Sequence, residues 1–218
     1  MKKEILKVLV GSRAHDLHNE LSDYDYRGVF VLPTSEILSL NYKPHNVDWI
    51  EGDIDNTGWE IGHFLKLATK CNPTILETFL SPTQGLTKEG TALRELFPFV
   101  WNSTDVKNAF IGYGLNQRKK FLENKNNHAR KYAVAYLRTL YNAKELLETG
   151  IFTISMKDTE IFDTLMKWKA NDWTIGEVIQ TCYEWQTKVE EAYEKNKDKQ
   201  SDLEKVNEFL LTIRKNNW

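Results

Sequence analysis

Residues Val8–Leu32, VLVGSRAHDLHNELSDYDYRGVFVL, set the frame for the rest of the chain. An apolar run, Val8–Val10, meets a Gly11-Ser12 turn, and basic and polar residues follow. A second apolar run, Tyr26–Leu32, begins directly behind Asp23 and Asp25. Strand side chains alternate faces, so these two carboxylates are expected to project from one side, close together. Like charges so placed repel, and the arrangement becomes favourable when a divalent cation lies between them. Mg2+ in particular is typically held by one or two carboxylates together with substrate phosphates. Glycine at a strand end lets backbone approach a ligand, and exposed N–H groups beside a serine hydroxyl can receive a phosphate. Phosphate on one side and metal on the other describe a nucleoside triphosphate site. The plainer alternative makes Ser22-Asp23 a turn cap and Asp25 a solvated strand residue.

The acid pair does not stand alone. Gly11-Ser12 followed by Ser22-Asp23-Tyr24-Asp25, with apolar strands on both sides, resembles the signature of the DNA polymerase beta-like nucleotidyltransferase superfamily. More closely, GSRAHDLHNELSDYDYRGVFVLP is similar to bacterial and phage nucleotidyltransferases that open with Gly-Ser-x-Ala-x-Gly/Asp and continue with Ser-Asp-x-Asp-x-Arg-Gly. Downstream, Asp55 with Trp59-Glu60-Ile61 and Phe64-Leu65, then Asn72-Pro73-Thr74-Ile75-Leu76-Glu77, resembles that family's acid, aromatic-Glu pair, Phe-Leu helix and Asn-Pro-x-x-x-Glu turn. The likeness is specific as far as Leu80 and loose over the helical remainder. Asp16 departs from it, because many relatives carry glycine there, which puts the shape of the turn after Ser12 in question.

The resemblance implies an α+β protein, with a small mixed β-sheet core, helices packed on it, and a helical C-terminal region. It implies a metal-dependent nucleotidyltransferase that moves a nucleoside monophosphate from an NTP, such as ATP, to an acceptor, with Mg2+ or Mn2+ as cofactor. Asp23 and Asp25 are the expected catalytic metal ligands, joined by a third carboxylate on a neighbouring strand. Asp53 and Asp55 share a strand face and are both candidates. Asp55 is preferred because it holds the place of the family's acid ahead of the aromatic-Glu pair, although it could instead cap a helix starting at Thr57. Gly11, Ser12 and Arg13 are expected to bind the nucleotide, assisted by Lys131 and Arg138 on the first long helices.

Composition bounds these expectations. The chain has 218 residues, 41% of them hydrophobic, a net charge of −2 and a pI near 6.2, so no global attraction to nucleic acid or anionic membrane is implied. Cys71 and Cys182 lie far apart with no metal-ligand spacing around them, which fits a reducing cytoplasm. The opening apolar run, Ile5–Val10, is short and broken by Lys7, so it reads as a strand and not a signal peptide. No run approaches the roughly 18 apolar residues of a membrane helix.

Along the chain, Lys43 to Asn56 reads as a third, irregular strand. Apolar residues from Trp59 to Ala68 recur at helical spacing, giving an amphipathic helix over Thr57–Lys70. His63 on it has no second ligand at metal-binding spacing. Arg27 is either a partner orienting Asp25 or an exposed strand residue, and Glu77 either supports the site or caps a helix. Ser81-Pro82 and Gly85 mark a loop. Long helices follow, over Asp105–Glu123, Ala129–Thr149, Asp158–Lys169, Ile175–Lys195 and Asp202–Lys215. The expected partition is therefore a catalytic core over 1–100 and a helical domain over 101–218. Between Arg118 and Arg138 seven basic residues face one acid, Glu123, for a net of +6. That segment suits phosphates, with an RNA end, a tRNA, a protein side chain or a small molecule as acceptor, and its charge together with the resemblance to RNA-repair-associated transferases inclines the acceptor towards RNA. Two rival readings are a non-catalytic nucleotide-binding or antitoxin-like module acting through a partner protein, and a calcium- or manganese-binding structural domain.

Overall fold

The structure, a computed structural model, describes residues 2–43, 46–51 and 54–218, and over 46–51 and 54–55 it describes the backbone alone. The chain divides into two compact units. The first comprises residues 1–70, 74–101 and 200–218, and the second 71–73 and 102–199. The helical stretch from residue 102 is thus an insertion, and the last 19 residues return to the first unit.

The first unit is built on a mixed sheet. Strand β1, Lys3–Val10, runs antiparallel to β2, Asp25–Val31, pairing Val10 with Asp25 and Lys3 with Val31. Between them lie a single helical turn, α1, Gly11–Ala14, and the loop carrying Asp23. Ile5, Leu6 and Val8 of β1 are buried, and Val29 to Val31 are buried in succession, so that part of β2 is covered on both faces. After the short helix α2, Thr34–Ile37, the expected third strand is two strands. They are β3, Asn46–Glu51, and β4, Ile54–Glu60, paired antiparallel. Strand β4 also runs parallel to β2, so the order is β3-β4-β2-β1 with β5, Thr83–Leu86, on the far edge. The loop read from Ser81-Pro82 and Gly85 is therefore in part a strand, four residues long and largely exposed.

The helix expected from Thr57 starts later. Thr57 to Glu60 complete β4, in register with Arg27 to Phe30, and α3 covers Ile61–Ala68. Trp59, Glu60 and Ile61 are buried in succession, a pattern neither a one-sided helix nor a one-sided strand produces, and pairing with β2 decides it. The N-cap is Glu60, whose carboxylate accepts from Gly62 N at 2.7 Å, and not Asp55. Helices α4, Pro73–Leu80, α5, Lys88–Glu95, and α6, Phe97–Val100, follow. A run of rings, Trp59–Phe64–Phe79–Phe97, with centroids 6.3, 4.9 and 6.0 Å apart, joins sheet and helices into one core.

The second unit contains α7, Ser103–Leu122, then α8, Ala129–Thr149, α9, Phe162–Lys169, and α10, Ile175–Asn196. Asn102 caps α7 by accepting from Asp105 N at 2.8 Å. Gly150, at φ +74°, closes α8 where the sequence places the stop. Helices α7 and α8 pack closely because Gly114 is bare, and a Cβ there would meet the Tyr136 ring at 2.9 Å. The final helix, α11, Leu203–Asn216, belongs to the first unit, capped by Asp202 and fastened through Arg214. No helix among the described residues is long and apolar enough to cross a membrane.

Candidate active site

The corner formed by the end of β1, the α1 turn and the start of β2 brings together the two halves of the signature. Val10 pairs with Asp25, so the chain reverses directly above the strand that carries the acid. Gly11 sits at φ +70°, in the left-handed region, and a Cβ built on it would overlap the Asp25 carboxylate. Glycine is required here twice, for its conformation and for the room it leaves. Asp25 is partly exposed and Asp23, just ahead of the strand, is exposed. The backbone of Asp55 is the register partner of Asp25 on β4. Asp53, the other candidate, lies outside the described residues. Among the described residues no three His, Cys, Asp or Glu side chains converge, so Asp23 and Asp25 make up the described part of the expected ligand set.

The turn itself holds its shape by ordinary means. Leu17 N donates to the Ser12 carbonyl at 2.9 Å and His15 N to that of Gly11 at 3.2 Å. Asp16 adopts φ +56°, the conformation that explains why a glycine is common at this place and why aspartate, tolerant of the left-handed region, can replace it. The turn therefore keeps the form a glycine would give it.

Arg13 is engaged on the outside of the corner. Its Nε donates to the Ser22 carbonyl at 3.0 Å, and its guanidinium lies 3.9 Å over the Tyr24 ring. Tyr24 stacks on Tyr26, and the Lys7 ammonium lies 4.9 Å over Tyr26, which makes a column of cation, two rings and cation. The column ties the α1 turn to the loop bearing Asp23. A part for Arg13 in neutralising phosphate would require it to leave these partners.

Behind the corner lies a buried polar cluster. His15, 3% exposed, points Nε2 at Glu77 Oε1 across 2.8 Å, and Arg27 Nη1 donates to Glu77 Oε2 at 3.1 Å and to the Thr74 carbonyl at 3.4 Å. Arg27 thus serves Glu77. Glu77, a buried residue of α4, joins the α1 turn through His15 and strand β2 through Arg27. Sequence reading singled out Glu77 and Arg27 but not His15, whose only signal was its place one residue past the turn. Glu60 is the second buried carboxylate, 2% exposed, and receives both guanidinium nitrogens of Arg214 at 2.6 and 2.8 Å. Its partner lies 154 residues further on, beyond any local pattern.

Lys131 and Arg138 stand seven positions apart on α8, in the second unit, Lys131 exposed and Arg138 half-buried. His63, on α3, is half-buried.

A mixed sheet whose central strand presents a carboxylate to a glycine turn, with helices packed on it, defines the polymerase beta-like nucleotidyltransferase class. Within it, the chain belongs to the RNA repair pathway DNA polymerase beta family, whose model matches residues 3–212. Over 133 residues the chain is also 25% identical to an uncharacterised 38.9 kDa protein encoded in the nrdC-mobD intergenic region of Enterobacteria phage T4. That match takes in 55% of this chain and 39% of the phage protein's length.

Proposed function

We propose that the protein transfers a nucleoside monophosphate from an NTP to an acceptor, with RNA as the acceptor class and a divalent cation as cofactor. The observation that carries this reading is Gly11, held at positive φ with its bare Cα against the Asp25 carboxylate. The hard oxygen donors of that carboxylate suit Mg2+ or Mn2+. Asp23 and Asp25 would hold the metal, with Asp55, the register partner of Asp25, as the third carboxylate. Bound there, the metal would supply charge neutralisation at the phosphates and acidify an attacking hydroxyl.

The chain's own groups then have distinct tasks. Ser12 Oγ and the Gly11 backbone would grip the β- and γ-phosphates, while Asp55 would accept the proton of the attacking hydroxyl. Arg13, in its column with Tyr24 and Tyr26, would fix the turn that does the gripping. Catalysis of this kind rests on positioning and electrostatics, with no covalent intermediate on the protein.

The test is incubation with each triphosphate labelled at the α-phosphate, together with total cellular RNA and protein. Label is expected in the RNA fraction, dependent on Mg2+ and absent with Asp25→Asn. Label in no fraction, or uptake indifferent to Asp25→Asn, would overturn the reading. A co-purifying protein partner with no turnover would favour the antitoxin-like alternative.

A further inference from the structure

Cations in the second unit are treated in two different ways. Lys144 reaches Glu145 and Glu148 at 3.0 and 3.1 Å, Lys167 reaches Glu177 at 3.1 Å, and Lys188 and Lys197 have acidic neighbours at 3.9 Å. At the tip of the α7–α8 hairpin the pattern thins, with Lys119 reaching Glu123 at 4.0 Å. Among the described residues none of Arg118, Lys120, Lys125, Arg130 or Lys169 pairs with a carboxylate. Arg118 and Lys120 end α7, Lys125 lies in the 3-10 turn Lys125–Asn127, and Arg130 opens α8. Lys169, the last residue of α9, is brought in because Arg130 Nη1 donates to its carbonyl at 3.2 Å. Burial and the nearby Arg130 hold the Lys169 ammonium below the usual lysine range, so these cations repel one another in the absence of an anion.

The charge is also lopsided along the chain. The stretch from 118 to 138 carries seven basic residues against one acid, whereas 139–199 carries eight basic residues against twelve acids. A net of +6 beside a net of −4 on one helical unit is a sign asymmetry suited to a polyanion. An aromatic ring is available within it: Tyr132, half exposed, lies 5.7 Å under the Lys120 ammonium, an arrangement that accepts a stacked base.

We infer that the tip of the α7–α8 hairpin, with the end of α9, is a docking surface for the phosphate backbone of single-stranded RNA. The choice of RNA among polyanions rests on the function proposed above. The surface itself rests on the unpaired cations, and it lies wholly within the second unit. Leu115 and Leu122, 43% and 50% exposed on α7, flank Arg118, a combination an anionic membrane would also take, so vesicles form a second arm of the test.

Anisotropy of a labelled mixed-sequence oligoribonucleotide, titrated with the whole protein without triphosphate, reads this directly. Each phosphate contact contributes about 0.7 to the slope of log affinity against log salt for a single strand. The variant Arg118→Gln/Lys125→Gln/Arg130→Gln/Lys169→Gln should bind at least tenfold more weakly, with a slope shallower by about 3 for four lost contacts. Arg118→Glu/Lys125→Glu, two exposed positions away from the packed seam, should weaken binding in the same direction if the fourfold variant fails to fold. Wild-type affinity in both variants would overturn the assignment. So would phosphatidylserine vesicles or polyglutamate bound in preference to RNA. Asp25→Asn should dock RNA as the wild type does, and loss of docking there would overturn the surface. Docking intact with no transfer of label would overturn the proposed function and leave the surface standing.

Discussion

Glu60 and Glu77 differ from Asp23 and Asp25 in how the fold meets their charge. The first two are withdrawn from water, and each is met by an arginine, Glu60 by the paired nitrogens of Arg214 and Glu77 by Arg27 with His15 on its other oxygen. The second two stay in contact with solvent, Asp25 half exposed against a residue with no side chain and Asp23 exposed ahead of it. Burying an ion without a partner costs several kcal/mol, so the buried pair had to be matched by the chain itself. Charge kept at the solvent-facing corner is charge that a ligand can reach. The same residue type thus holds the protein together in one place and stands available for chemistry in another.

The widest separation between the two pairs should appear with Asp25→Asn. It is expected to lower nucleotidyl transfer by at least about 10³-fold, some 4 kcal/mol in the barrier, while chemical denaturation moves by less than about 1 kcal/mol. A large loss of stability would place Asp25 with the structural acids. Arg214→Ala should do the reverse, leaving Glu60 buried and unmatched at a cost of about 3–5 kcal/mol, read as a shift of the urea midpoint at unchanged slope. A change below 1 kcal/mol would show that water reaches Glu60.

Glu77→Gln keeps the volume but removes the charge that Arg27 and His15 face. It should destabilise by about 1–3 kcal/mol and be rescued in part by a second change, Arg27→Gln, in a double-mutant cycle. Strict additivity would deny the coupling. Asp16→Gly, by relieving a non-glycine residue at φ +56°, should raise stability by about 0.5–1 kcal/mol. A decrease would mean that the aspartate side chain holds the turn.

The smallest effect concerns Glu89, whose carboxyl is lowered from 4.5 to about 2, first by the hydrogen bond from Lys3. Its folded value lies below its unfolded one, so its contribution is present above about pH 4.5 and fades as pH falls towards 2. On an exposed pair this amounts to under about 1 kcal/mol. Lys3→Met should therefore lower stability at neutral pH by under about 1 kcal/mol and leave it unchanged near pH 2, which flattens the acid limb of the stability curve.

Much of this was legible because the deciding interactions are local. The glycine-serine bend, the adjacent acids and the stops of α8 and α10 are written in consecutive residues, and the structure follows them closely, down to Gly150 at the end of α8. What was not legible depends on distant chain. Thr57 to Glu60 carry helical spacing, yet pairing with β2 makes them strand. Edge strand β5 is short, follows Ser81-Pro82, contains Gly85, and exists because β1 offers it a partner. Glu60 resembled a motif residue with no stated task until α11 delivered Arg214. His15 gave no signal because a lone histidine after a turn is uninformative until Glu77 stands beside it. The side chains of the preferred and alternative third carboxylates, Asp55 and Asp53, are outside the described residues, and the register of β4 with β2 is what speaks for Asp55.

The Glu60–Arg214 pair also bears on how the protein is made. Residues 102–199 are synthesised after the sheet and before Arg214, so a ribosome must translate an entire inserted helical unit while Glu60 waits without its counter-charge. The sheet can form on the nascent chain, but its maturation is deferred until translation reaches α11. A stalled or truncated product lacking that helix would expose an acidic, half-finished sheet to chaperones and proteases.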